Sequence, residues 1–598
     1  MLIGPVFSRE IVTAPRRPRL YISRAAYVSA LLVLVCTAWL LVTGTQIVRN
    51  LGDMARFGAM LFQIIAPLQL GLAIFFSALL AAAGVAQEKD RRTLVLLLLT
   101  NLTNSELVLG KLLASLLNVL VLLAASVPLF MLSALLGGVS FMQIARVFAV
   151  TLATVVVAGS LGSTMALWRE KTFQTLALTA LVLVFWLGAG EAVAWGALGR
   201  EWLAAPTDVW AAGFSPWQAI VVATRPLIEA QDALPYFGNA INLFLLVALA
   251  MTLVLNLTAI ALVRIWNPSR EIRARTRDGE DLESIWGLKP AATAADGGAP
   301  TRSVHAAAGS VRQVWDNPIL WREIRTWAYG RRVLLVRVGY LALVAAAVYA
   351  LHSMIAAETL TTASGALVLV PLLVLSLVLV NAQAVTSLTT ERDGRALDLL
   401  LVTDLSAREF VFGKLGGIFY NTKEMVLLPM ALCVYLWYAG VLGGENLIYL
   451  LGGLAVMNVF VAVLGVHSGM SYANSRSAIG VSLGTVFFLF VGIATCMRMM
   501  IAFHSFHWQI QPFLAFMLGG AVGLYAALGA RNRSVAIGIA SMLCPIATFW
   551  AITSFLLHYT LSVFLVSVGT YGFATAAMLV PAVSEFDVAT GRTTAGED

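Results

Sequence analysis

Apolar runs of bilayer length recur along almost the whole chain and restrict its fold more than any other feature. A helix crossing the hydrocarbon core of a membrane needs about 20 apolar residues. Such runs occupy about 27–48, 60–86, 112–137, 144–167, 174–196 and 239–263. They return at about 333–351, 365–389, 425–443, 446–470, 477–500 and 512–530. A last run, 535–583, is long enough for two more. Lipid offers no partner to a backbone group outside a helix, so the expected fold is an all-α polytopic membrane protein with about 14 transmembrane helices. With 60% hydrophobic and 12% charged residues and a mean hydropathy of +0.87, a soluble domain is excluded.

Basic residues set the expected orientation. Arg9, Arg16, Arg17, Arg19 and Arg24 precede the first run; Lys89, Arg91 and Arg92 follow the second; Arg169 and Lys171 follow the fourth. Arg264, Arg270, Arg273, Arg275 and Arg277 follow the sixth, and Arg392, Arg395, Arg408, Arg476, Arg531 and Arg533 continue the pattern. The alternate loops are poorer in Lys and Arg. Both termini are therefore expected to be cytoplasmic, in a membrane of the bacterial inner-membrane type. The net charge of +8 follows from this bias, and basic residues spread over membrane-flanking loops do not suggest nucleic-acid binding. The first apolar run has full span length and no convincing cleavage site, unlike a signal peptide. Cys36, Cys433, Cys496 and Cys544 stand singly in or beside apolar runs and predict neither disulfides nor a metal cluster.

The chain also contains itself twice. Residues 88–111 (EKDRRTLVLLLLTNLTNSELVLGK) and 391–414 (ERDGRALDLLLVTDLSAREFVFGK) are identical at 13 of 24 positions, without a gap. Glu88/Glu391, Asp90/Asp393, Arg92/Arg395, Thr100/Thr403, Glu106/Glu409, Gly110/Gly413 and Lys111/Lys414 are matches that leucine bias does not explain. A second block pairs 5–27 with 318–340, sharing Pro, Arg-Glu-Ile, Thr, two Arg and a final Tyr. The two offsets differ by ten residues, a change that loops absorb at small entropic cost. An internally repeated chain calls for a function that uses both copies.

Each half opens on a basic amphipathic stretch holding Arg9-Glu10 or Arg322-Glu323. It suits a helix lying on the cytoplasmic face with its arginines among headgroups; a plain basic flank is the alternative. In the repeated loop, Glu88 and Arg92, and likewise Glu391 and Arg395, stand four apart and are expected to pair on one helical face. A leucine-rich stretch and a polar turn follow. Then Thr103-x-x-Glu106 and Ser406-x-x-Glu409 have the spacing of a capping box, which starts a new helix. The expected loop is helix, turn, helix, with an apolar patch and charged rim suited to docking a cytoplasmic partner.

These residues resemble an ABC-2 type membrane permease, the exporter class of ATP-binding-cassette transporters. In that family the loop after the second span reads as an acidic residue, basic residues, a leucine stretch, a polar turn and Ser-x-x-Glu followed by Gly-Lys. Glu391, Asp398, Leu399, Leu400, Thr403, Leu405, Ser406, Glu409, Gly413 and Lys414 match it, as do Glu88, Leu96, Leu97, Thr100, Leu102, Thr103, Glu106, Gly110 and Lys111. Both copies depart where the family has Thr-Pro: here Thr100-Asn101 and Thr403-Asp404. The resemblance covers all but a C-terminal pair of spans. It implies that Glu88, Asp90, Arg92, Thr100, Glu106, Glu391, Asp393, Arg395, Thr403 and Glu409 belong to loops docking ABC ATPase subunits, two copies or a heterodimer. The implied organisation is a first six-span unit (1–266), a cytoplasmic linker (267–313), a second unit (314–534) and additional C-terminal helices (535–598).

No G-x-x-x-x-G-K-[ST] occurs, so this chain is expected to be no enzyme and to bind no cofactor, with ATP and Mg on the partner chain. The remaining constellations are weaker. His504 and His507 are too few for a metal site. Lys423-Glu424 and Glu191 suit either near-surface ion pairing or a substrate or proton site. Gln63, Gln69, Asn118, Asn381, Gln383 and Asn458 suit polar contacts between helices. About 197–238, with Trp202, Trp210 and Trp217, suits a non-cytoplasmic loop lying partly in the interface. No pore-lining face is defined, so no substrate is named. The alternatives to an ABC permease are a secondary transporter, whose repeats place broken helices or paired charges at midspan, and a membrane scaffold of an export system.

Overall fold

The computed structural model of the protein describes residues 4–13, 18–45, 50–196, 199, 201–202, 205–226, 238–267, 314–325, 333–502, 510–530, 534–584 and 586. Nearly all of the expected linker and both His504 and His507 lie outside them. The first half contains α1 (Pro5–Thr13), α2 (Pro18–Thr45), α3 (Leu51–Asp90), α4 (Thr93–Leu99), α5 (Asn104–Leu135), α6 (Phe141–Trp168) and α7 (Thr172–Ala194). A minimal antiparallel pair, β1 (Glu201–Trp202) and β2 (Ala205–Pro206), precedes α8 (Thr207–Phe214), α9 (Pro216–Thr224) and α10 (Ala240–Trp266). The second half contains α11 (Pro318–Arg325), α12 (Val333–Ala356), α13 (Thr362–Asp393), α14 (Ala396–Leu401), α15 (Ala407–Asn421), α16 (Lys423–Tyr438), α17 (Gly444–Ser471) and α18 (Ser475–Ala502). It ends in α19 (Ile510–Leu528), α20 (Val535–Leu556) and α21 (Thr560–Ser584).

Twelve of the described helices are long and apolar enough to cross a membrane: α2, α3, α5, α6, α7, α10, α12, α13, α17, α18, α20 and α21. The chain is thus a helical integral membrane protein. Two expected spans take another form. The run at 425–443 belongs to a helix broken at Thr422 into α15 and α16, whereas its counterpart α5 is continuous. The run at 512–530 is the shorter α19.

The repeat in sequence is a repeat in packing. In each half the helix before the loop lies against the fourth span: α3 on α6, α13 on α17. Equivalent glycines allow this approach. A Cβ on Gly162 would come within 2.6 Å of the Ala78 carbonyl oxygen, and one on Gly465 within 3.0 Å of the Asn381 carbonyl oxygen and 2.5 Å of the Ala384 Cβ. Small residues bring membrane helices together where water supplies no driving force. Between halves the contacts are reciprocal: α7 packs on α13, and α18 packs on α3. One apolar cluster includes Leu79 and Ala82 of α3, Leu176 and Leu181 of α7, Tyr340 of α12, Leu379 and Ala382 of α13, and Leu483 of α18.

After the fifth span the halves diverge. The expected interfacial loop at 197–238 instead folds, over its described part, into α8 and α9. Ala211, Ala212, Ala219, Ile220 and Ala223 are buried there, and the pair packs against α6, α7 and α10. Small side chains make this insertion possible, and Pro216 starts α9 where the missing N–H costs nothing. In the second half α19 and α20 stand at this point of the chain. It is α21, not α19, that packs on α17 and α15 as α10 packs on α6 and α5.

Candidate functional site

Both repeated loops are built the same way. The preceding helix ends at Asp90 or Asp393, and two residues later Arg92 and Arg395 adopt the left-handed conformation, with φ of 59° and 57°. This turn corrects the expected Glu88–Arg92 and Glu391–Arg395 pairs. Those arginines leave the helix, so the i,i+4 geometry is lost. The short helices α4 and α14 follow. Their ends are closed by equivalent threonines: the Thr100 hydroxyl donates to the Leu97 carbonyl at 2.6 Å, and that of Thr403 to Leu400 at 2.5 Å. Both expected capping boxes are present. Glu106 N–H donates to the Thr103 hydroxyl (3.3 Å) and Thr103 N–H to the Glu106 carboxylate (3.0 Å); Ser406 and Glu409 repeat this at 3.2 and 3.0 Å. The Ser406 hydrogen bonds hold the Glu409 carboxyl below the usual carboxylate range.

Each short helix presents an apolar face outward. In α4, Leu94 and Leu98 are buried against α5, α6 and α10, whereas Leu96 and Leu99 are 64% and 65% exposed. In α14, Leu397 and Leu400 pack inward, whereas the equivalent Leu399 and Val402 are 75% and 87% exposed. Thr93 and Ala396 begin these helices just past the charged ends of α3 and α13. The two loops thus expose apolar side chains at equivalent positions.

The repeated Gly-Lys and the repeated amphipathic helix explain one another. Glycine lets the amphipathic helix lie on the entry of the third span. The nearest atom to a Cβ on Gly110 is the Val6 Cβ at 3.4 Å, and one on Gly413 would meet the equivalent Ile319 Cβ at 2.9 Å. Lysine then ties that span to the end of the second: Lys111 to Glu88, and Lys414 to Glu391 at 2.7 Å. In the second half the knot is larger. Lys414 also meets Glu323 at 2.7 Å, and Arg322 pairs with Glu391 and Glu323. The Lys414 and Glu323 side chains are each 1% exposed, against 9% for Lys111 and 34% for Glu88. Arg9 is exposed in the first half and Glu10 partly buried. The first loop has a different clasp: Arg264 of α10 donates to Asn104 and to the carbonyls of Leu98 and Leu102.

Between the loops, at the seam of the two halves, lies a polar cavity of about 370 Å³. Lys89, Asp90, Arg92, Glu170 and Lys171 line it from the first half; Glu323, Thr386, Ser387, Thr390, Glu391 and Gly394 line it from the second. Two cross-links close the seam beside it. Arg91 pairs with Asp393 at 3.2 Å, and the Gln87 amide donates to Asn474 at 2.7 Å. The salt bridge has no mirror image, because Gly394 stands where the first copy has Arg91. Asp90 accepts from Thr172.

The basic residues beside these aspartates have a structural role that the sequence reading did not assign. Lys89 donates to the carbonyls of Leu167 and Arg169, and Arg392 to those of Gly469 and Tyr472. Each closes the C-terminal end of the fourth span, where helix carbonyls lack partners. The signal was a Lys/Arg substitution in the repeat, which identity alone passes over.

Other residues singled out in the sequence lie elsewhere. Glu424 pairs with Arg337 of α12 at 3.6 Å, not with Lys423, which sits over the Tyr420 ring. The Tyr340 and Ser376 hydroxyls both donate to the Met425 carbonyl beside the break. Glu191 accepts from Gln218 at 2.8 Å. Gln69 and Asn381 link helices, through Ser126 and through Val461 and Ser482, whereas Gln63 is exposed. The cysteines are free, and no three His, Cys, Asp or Glu among the described residues could hold a metal ion. No family model, curated protein or solved structure matches the chain.

Proposed function

We propose that the chain is the membrane permease of an ABC-2 type exporter. Two six-span units face one another about a pseudo-two-fold axis, and the substrate path runs along their seam. The chain itself hydrolyses no ATP; separate ATPase subunits bind ATP and Mg and dock on the α4 and α14 loops from the cytoplasm. The observation that carries this reading is the matched outward pair Leu96/Leu99 and Leu399/Val402, on loops whose flanking second and third spans are tied to one another by Glu–Lys. A force on α14 reaches the seam through Glu391 and Lys414. ATP drives transport only if the docked ATPases favour one arrangement of the halves over another.

A secondary transporter gains one supporting feature, the broken helix α15–α16 with Arg337–Glu424 beside the break. The break occurs in one copy only, whereas alternating access by inverted repeats uses both, so the permease reading is preferred. Its test is coupling. Glu88→Ala and Glu391→Ala, reconstituted with the ATPase that co-purifies, should lower ATP-dependent transport more than ATPase docking. Full coupling in both single variants and in the double variant would refute the role given to these loops.

A further inference from the structure

We infer that the two loops dock two different ATPase subunits: the one seated on α14 carries cations at the rim of its groove, and the one seated on α4 has an uncharged rim. This rests on the permease reading and deepens it by giving each loop a partner of its own chemistry.

The outward apolar side chains of the loops are matched, but their surroundings are not. Residues 93–105 include no charged side chain, whereas the equivalent 396–408 include Asp398, Asp404 and Arg408. In the first loop the same positions hold Val95, Asn101 and Ser105. Asp398, Asp404 and Arg408 are exposed, and their side chains make no hydrogen bond or ion pair among the described residues. Asp398 stands beside Leu399 and one turn from Val402, so it shares their outward surface. Its counterpart Val95 is 36% exposed and extends the apolar face of α4. Asp404 follows Val402 in the turn, and Arg408 lies in the first turn of α15. A polar group of the first loop is also used inside the chain: Asn104 is engaged by Arg264 and by the Ile260 carbonyl, where the second loop has Ala407.

These differences fall on the surface that a docked partner covers. A groove that buries Val95 among apolar side chains would, on α14, strip water from Asp398 with no cation to meet it, which is costly. A groove with a lysine or arginine opposite Asp398 would, on α4, leave that cation against a valine methyl group. One groove therefore cannot suit both loops, and the fit to one loop carries rejection of the other. Two acidic side chains against one basic one give α14 a net demand for a positive rim. Arg92 and Arg395 are common to both copies and do not discriminate.

Photo-crosslinking of the full chain in membranes from its own cells tests this, with the photoreactive residue at 99 or at 402 and the captured phosphate-loop proteins identified by peptide sequence. Two different ATPases are expected, one from each position. Asp398→Val with Asp404→Asn gives α14 the neutral rim of α4 and should lower capture from residue 402 about tenfold or more, with a much smaller loss from residue 99. Val95→Asp with Asn101→Asp should lower capture from residue 99. Added salt should weaken capture from residue 402 more than from residue 99, because only the α14 contact has a charged rim. The same ATPase captured from both positions overturns the inference and leaves the docking reading standing. So does a rim exchange without effect at residue 402. Capture of no phosphate-loop protein from either position overturns the docking reading, and this inference with it.

Discussion

Replacing Lys414 with methionine should loosen α11 from α15 far more than the same change at Lys111 loosens α1 from α5. Methionine keeps most of the side-chain volume and removes the charge. In the second half it leaves Glu323, with a side chain 1% exposed, without its 2.7 Å partner. Breaking a buried pair from one side costs about 3–5 kcal/mol. Arg322 remains beside both carboxylates, which places the expectation near the lower end, about 3 kcal/mol. That is about a 150-fold rise in the local opening equilibrium. In the first half Glu88 is 34% exposed; water takes over its solvation, and the cost should be about 1 kcal/mol or less. Hydrogen exchange of 318–325 reads the opening directly, with 5–13 as the internal control. Glu323→Gln combined with Lys414→Met should recover much of the protection, because no buried charge is then left unpaired. Equal acceleration in the two segments, or none in 318–325, would refute the reasoning.

The other expectations concern packing, the seam and orientation. Gly413→Ala should lower the melting temperature by overpacking, at about 1–3 kcal/mol, because its Cβ would approach Asn317 Oδ1 to 2.6 Å and Ile319 Cβ to 2.9 Å; Gly110→Ala, with nothing nearer than 3.4 Å, should be close to neutral. Arg91→Gly with Gln87→Ala removes both cross-links at the seam and should lengthen or broaden the spin-label distance between the loops; an unchanged distribution would show that apolar packing alone holds the seam. With Cys36 replaced, a cysteine at Leu99 should be protected from an impermeant thiol reagent in intact cells and one at Phe141 labelled, and the reverse pattern would invert the orientation.

What the sequence made legible was local. Alternation of apolar runs and basic loops located the membrane helices, and Thr103-x-x-Glu106 and Ser406-x-x-Glu409 marked helix starts because a capping box is closed within four residues. What it hid was set by tertiary packing or backbone conformation. Glu88 has Arg92 at helical spacing, yet the left-handed turn at Arg92 carries that side chain off the face and leaves Glu88 to Lys111, 23 residues on. The Met425 carbonyl near the break is left open by Pro429, which has no N–H to give it, and the donors that fill it come from α12 and α13, far off in the chain. The burial of α8 and α9 depends on Ala and Ile side chains that would equally suit an interfacial loop. The place of α21 against α17 and α15 has no local signal at all.

The most direct test of the central claim, that the two loops are docking surfaces for ATPases, is photo-crosslinking in intact cells from residues 96 and 399. Leu96 and Leu399 are the equivalent outward residues of α4 and α14, so a photoreactive residue at either should capture a protein whose peptides include a G-x-x-x-x-G-K-[ST] phosphate loop, and one at Phe141, across the membrane, should not. Absence of such a protein from both loop positions, with the variants inserted and stable, would contradict the account.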